Sequence, residues 1–142
     1  MRKTAATALA ALALTGCSMM QHTTVAPNDL LHHNFVLQSV DGEAAKLPPG
    51  GGLLNLEFGE HLHVSGAMCN RFFGQGQLDD GVLTVKPLAM TRKLCPDDQR
   101  NQWDRVIGTV LENGAKVTLS AQQLTLSGSG HTLVYTLRDW VY

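Results

Sequence analysis

The chain has 142 residues, of which 44% are hydrophobic and 16% charged. That length suits one domain, and that balance is an ordinary globular one. A formal charge of −1 and an aromatic content of 6% exclude a basic footprint for nucleic acid, a polybasic membrane patch and a stacking platform for bases or sugars.

Arg2 and Lys3 form a short positive start, and Ala5 to Leu14 an apolar run of about ten residues. A membrane-spanning helix needs about 20 apolar residues, so this run is too short to remain as an anchor. No polar face interrupts it, as the packing of an amphipathic helix would require. It reads as a secretory leader. Leu14-Thr15-Gly16-Cys17 then resembles the bacterial lipobox. The resemblance implies diacylglycerol on the Cys17 sulfur, cleavage after Gly16 and acylation of the new N-terminus. Several acyl chains, at about 0.8 kcal/mol per buried methylene, hold far more firmly than one. Ser18 stands where an Asp would resemble an inner-membrane retention signal, so outer-membrane sorting is expected, with the domain facing the periplasm. Loss of residues 1–16 removes Arg2 and Lys3 and takes the formal charge from −1 to −3.

Residues 17–30 are expected to be a polar tether, and residues 31–142 the folded domain. "NFVLQSVDGE" alternates Phe35, Leu37 and Val40 before an Asp41-Gly42 turn, which predicts a strand and a bend. "KLPPGGG" predicts a loop. "LLNLEF" and "HLHVSG" predict a hairpin about Gly59-Glu60. "GQGQLDDGVLTVKPL" predicts a second hairpin, turning at Asp79 to Gly81. From Asp97 to Glu112, Trp103, Val106, Ile107, Val110 and Leu111 recur at helical spacing. Pro96-Asp97 suits the helix start and Asn113-Gly114 its stop. Three short strands follow, carried by Val117 and Leu119, Leu124 and Leu126, and Leu133, Tyr135 and Leu137. The expected fold class is therefore α+β, an antiparallel, strongly curled β-sheet of hairpins packed around a single α-helix.

Export would carry Cys69 and Cys95 to an oxidising compartment, where a disulfide can persist. A bridge would fasten the first hairpin to the helix start and contribute roughly 3–4 kcal/mol in the chain-entropy model. Two buried free thiols are the alternative. A redox pair lacks the C-x-x-C spacing.

"SGAMCNRFFGQGQ" (Ser65 to Gln77) and "LAMTRKLC" (Leu88 to Cys95) resemble the paired signature of the META domain, over about Leu31 to Arg138. The resemblance implies a compact α+β domain in an envelope protein linked to stress responses, and it supplies no reaction. It carries over to Gly66, Cys69, Asn70, Arg71, Phe72, Gly74, Ala89, Thr91 and Cys95, in roles that are mainly structural. Asn70 suits a left-handed or turn conformation, and Gly66 and Gly74 close backbone approach. Arg71 and Arg92 are the polar exceptions, each able to bind an anionic group or to make a structural ion pair.

Other chemistry is sparse. His61 and His63 would share one face of a strand, a two-ligand start on a metal site that usually wants three or four. His32, His33 and His22 are expected to be inert. There is no G-x-S-x-G elbow. Ser127-Gly128-Ser129-Gly130 reads as a turn, and Gly74-Gln75-Gly76 lacks the rest of a dinucleotide loop. Asp79-Asp80 and Asp97-Asp98 sit where turns and helix starts favour Asp. The expected activity is non-enzymatic and without a cofactor. It is binding of an envelope protein or lipid by a domain moored to the membrane through its lipid. A small inhibitor of a hydrolase, inserting the Gly-rich loop or the Cys69 to Gln77 segment, is the alternative.

Overall fold

The computed structural model describes residue 16, residues 24–46 and residues 52–139. Cys17, most of the leader and the Leu47 to Gly51 part of the Gly-rich loop lie outside the described residues.

The first described element is one helical turn, α1 (Pro27–Leu30), and Leu30 is fully buried. The expected tether of residues 17–30 therefore gives up its last four residues to the domain. The reason is Leu30, whose burial alone contributes about 1.5–3 kcal/mol. The strands are β1 (Asn34–Val40), β2 (Glu43–Ala44), β3 (Asn55–Phe58), β4 (His63–Ala67), β5 (Arg71–Asp79), β6 (Val82–Val85) and β7 (Ala89–Met90). The helix α2 (Asp98–Asn113) follows, and then β8 (Ala115–Ser120), β9 (Gln123–Gly128) and β10 (His131–Leu137).

The sheet closes. In the order β1-β3-β4-β5-β6-β8-β9-β10 every neighbour pairs antiparallel, and β10 returns to pair with β1, making an eight-stranded barrel. The short strands β2 and β7 pair with β1 and β5 outside that ring. The α+β expectation stands in coarse form, while the strongly curled sheet is corrected to a closed barrel. Closure removes the two exposed edges that an open sheet would leave unpaired.

The closing seam sets Phe35 opposite Leu137, Leu37 opposite Tyr135 and Val40 opposite Leu133, with a bulge between Leu37 and Ser39. A bulge sharpens local twist, which a small barrel needs. Each end of the seam carries a His–Asp pair. His33 Nδ1 lies 2.7 Å from Asp139 Oδ2, and His131 Nδ1 lies 2.6 Å from Asp41 Oδ2. Asp139 also accepts from the Asn34 N–H and Asp41 from the Thr132 N–H. The His131 hydrogen bond, and then that of Thr132, hold the Asp41 carboxyl below its ordinary value of 3.8. His33, read from the sequence as inert, is one of these brackets.

The interior is filled by Phe35, Phe58, Phe72, Leu83, Leu124, Leu126, Leu133 and Tyr135, joined by Ile107 and Leu111 from α2. The helix starts where Asp97 accepts the Gln99 N–H at 2.9 Å and stops at Gly114, whose φ of 106° suits glycine alone. Its buried face is Trp103, Asp104, Ile107, Val110 and Leu111, with Val106 only half buried. A carboxylate therefore occupies a place in the stripe that periodicity assigned to carbon alone.

Candidate functional site

The two halves of the signature meet around Asn70, which is 5% exposed. Its side chain uses its full hydrogen-bonding capacity. The Nδ2 group donates to Asp104 Oδ2 at 2.7 Å and to the Lys93 carbonyl at 2.9 Å. The Oδ1 atom accepts from the Thr91 hydroxyl at 2.9 Å and from the Lys93 N–H at 2.8 Å. Asp104, 8% exposed, also accepts the Asn70 backbone N–H at 2.9 Å. A buried carboxylate is tolerable only with such partners, and hydrogen bonds to it are about twice as strong as neutral ones.

The segment after β7 is thus anchored at every second residue. Thr91 donates its N–H to the Arg71 carbonyl at 2.9 Å, and Lys93 is gripped on both sides by Asn70. Cys95 is tied to the Asn101 side chain through both its N–H, at 2.9 Å, and its carbonyl, at 2.8 Å. Its sulfur is bonded to Cys69, with the Cα atoms 5.9 Å apart. The bridge expected from compartment and position is formed. Between these anchors Arg92 and Leu94 are left outside, and Leu94 is 86% exposed.

The signature glycines serve chain approach. A Cβ on Gly66 would overlap the Asn55 carbonyl and the Phe72 ring, and one on Gly74 would sit 2.6 Å from Val85 Cγ1 and 2.8 Å from the Pro87 carbonyl. Phe72 fills the barrel and Ala89 pairs opposite Phe73. Asn70 is not among the described residues with positive φ, so its place rests on the amide rather than on a left-handed backbone.

Outside this clasp lies a groove of about 590 Å³ across β3, β4 and β5. Its lining includes Arg71, Lys93 and Arg100, with Glu57, His63 and the 49%-exposed Phe73. Arg71 therefore faces a groove, whereas Arg92 stands on the adjoining segment and is not part of that lining. Arg100 Nε lies 3.6 Å from Asp97, and among the described residues no carboxylate pairs with Arg71, Arg92 or Lys93.

Two sequence readings change here. His61 lies in a 3-10 turn (Glu60–Leu62) with φ 52°, not on the strand with His63, so the shared face does not exist. Among the described residues no group of three or more His, Cys, Asp and Glu side chains is placed to hold a metal. Residues Arg71 to Gln77 of the proposed inhibitory segment lie in strand β5, Arg71 to Gln75 paired with β4 and Gly76 and Gln77 with β6, so that stretch is not a free loop. Sequence reasoning missed Asp104 and Asn101. The signal for Asp104 was available, since it is an ionisable residue beside Trp103 within an apolar helical stripe.

The site is structural at its centre and open at its edge, in a small helix-bearing barrel. The META domain family model matches residues 28–140, and the chain belongs to the META domain family. It is similar to "Heat shock protein HslJ" of Escherichia coli (strain K12), with 44% identity over 142 residues and 98% of each chain covered. A protein structure solved by NMR is 46% identical, with a TM-score of 0.75, covering 81% of this chain and 97% of that one. Another NMR structure, of a protein from Burkholderia xenovorans, is 24% identical with a TM-score of 0.63, covering 99% of each chain, and shares the fold.

Proposed function

We propose that this chain is a non-enzymatic, lipid-anchored protein of the bacterial envelope that supports tolerance of heat and related stress by binding an envelope partner. Residues 1–16 export it, Cys17 carries the lipid, and the domain faces the periplasm from the outer membrane. The address is supported by Leu14-Thr15-Gly16-Cys17 behind a short positive start and a ten-residue apolar run, and the stress role by the printed name of the E. coli relative. One observation carries the non-catalytic part. The polar side chains of the signature region, Asn70 and Thr91 with Asp104, are spent on one another and on the backbone of residues 91–95. A catalytic group must keep a lone pair or a proton for its substrate.

Intact-mass measurement of natively made protein tests the address. The expected species begins at an acylated Cys17, and an unmodified thiol or a retained leader overturns it. Crosslinking under heat stress tests the binding role. The expected product is an envelope component that accumulates with temperature, and recovery of the lipoprotein-sorting machinery alone overturns it.

A further inference from the structure

The geometry points to a second, non-covalent contact with the bilayer, in which residues 91–94 and the groove beside them dock on anionic phospholipid. Arg71, Arg92 and Lys93 meet the phosphates while Leu94 and Phe73 enter the acyl boundary. This deepens the envelope-binding reading and rests on it for the nearness of the membrane.

A lone exposed leucine is ordinary on a protein surface. Here four features coincide. First, Leu94 does not belong to a flexible loop, because the residues on either side of it are fixed by Asn70, Asn101 and the Cys69–Cys95 bridge. Little ordering entropy is then lost when it binds. Second, Phe73, a 49%-exposed apolar side chain, lines the same groove as Lys93, the residue next to Leu94. Third, the cations are concentrated. Removal of the leader leaves nine Lys and Arg, of which Arg71 and Lys93 line this groove, Arg92 stands on the adjoining segment, and Arg100 lies 3.6 Å from Asp97. Glu57 is the one carboxylate in the groove lining. Arg100 is offset by Asp97, so Arg71, Arg92 and Lys93, which no carboxylate pairs among the described residues, are the charges that meet an anionic surface.

Fourth, the shape fits a soft partner. Leu94 projects from the surface instead of lining a pocket, and it is flanked in sequence by Lys93 and followed by the anchored Cys95. Acyl chains close around such a tip without a preformed cavity, and cations beside it gain from phosphate at the same depth. The reach also fits. From Cys17 to Ala26 there are ten residues, at most about 3.5 Å each, so the domain stays within about 35 Å of its anchor.

The test uses residues 17–142 made without leader or lipid, with the disulfide formed. The NMR relative of 46% identity is matched over 97% of its length by 81% of this chain, about the extent of the domain. Flotation is compared on vesicles with 30% phosphatidylglycerol in phosphatidylethanolamine and on phosphatidylcholine vesicles. Binding is expected on the anionic vesicles alone and is reversed by salt. The double variant Arg71→Gln, Lys93→Gln is expected to partition about 25-fold less, at about five-fold per charge. Leu94→Ser, at a position with no packing role, is expected to partition about ten-fold less. Equal partition on both vesicles overturns the proposal, and so does a Leu94→Ser variant that binds like the wild type. Failure of acylation is read separately by mass, so the two readings fall independently.

Discussion

The clasp around Asn70 and the seam between β1 and β10 both join parts of the chain distant in sequence, and they do it with different chemistry. The clasp is buried. It gathers β5, residues 91–95 and α2 about one neutral amide with four filled hydrogen-bond sites, backed by a covalent bridge. The seam runs to the surface, where His33–Asp139 and His131–Asp41 bracket it with side chains that water still reaches. The difference follows from solvent. Away from water an unmatched polar group costs about 1–3 kcal/mol, so the buried tie must be complete. At the surface an ionic tie is worth about 0–1 kcal/mol and can be loose. The clasp thus answers to reductant and to loss of partners, and the seam answers to acid.

That contrast breaks first at the disulfide. Joint replacement Cys69→Ser, Cys95→Ser is expected to cost roughly 3–4 kcal/mol in urea unfolding, from a sequence separation of 26 residues. It should also loosen residues 91–95, read as faster amide exchange at Lys93. A loss below about 1 kcal/mol would mean that the hydrogen bonds hold the segment without the bridge.

Next is Asn70→Ala, which leaves the Asp104 carboxylate buried with its side-chain partner gone. About 3 kcal/mol of destabilisation is expected. The double variant Asn70→Ala, Asp104→Ala should cost clearly less than the sum of the single changes, because the two are partners. Additive losses would contradict the shared network.

The seam gives smaller effects. Asp41 binds its proton less readily folded than unfolded, so its contribution is complete above about pH 3.8 and drains as pH falls through the lower folded value. Asp41→Asn is expected to cost at most about 1 kcal/mol at neutral pH. It should also flatten the acid limb of the thermal midpoint, leaving equal midpoints for the two proteins at the lowest pH. An unchanged acid limb would remove Asp41 from the seam's pH response.

Smallest is Tyr135→Phe. The hydroxyl is buried, burial raises its pKa, and among the described residues it has no hydrogen-bond partner. The variant is therefore expected to be neutral or slightly more stable. A loss above about 1 kcal/mol would show that the phenol has a partner at the seam.

Local order was legible wherever neighbours in sequence supply it. The Asp79 to Gly81 turn appears with Asp80 and Gly81 at φ 48° and 76°, and the Asp97 cap and Gly114 stop bound α2 as their residue types require. The β8, β9 and β10 strands follow the alternation read from Val117 to Leu137. Some local readings still failed. His61-Leu62-His63 looks like strand by type, yet Leu62 reaches the core through a turn with positive φ at both His61 and Leu62. For the candidate site, the signature marked Asn70, Thr91 and the cysteines but not Asp104 or Asn101. Asn101 grips the Cys95 backbone from six residues away, while the partner of Asp104 is Asn70, 34 positions off and beyond any spacing rule.

Sequence alone thus determined the segments, their turns and caps, the helix stripe and the lipobox resemblance, because each depends on residues within about a dozen positions of one another. Only the tertiary structure decided that β10 returns to β1 across about a hundred residues, that Asn70 and Asp104 complete each other, and that Leu94 is left exposed while Arg71 and Lys93 line a groove. Those outcomes depend on which surfaces meet once the whole chain has excluded water, and pairing at such separation is selected by the collapsed core rather than by local preference.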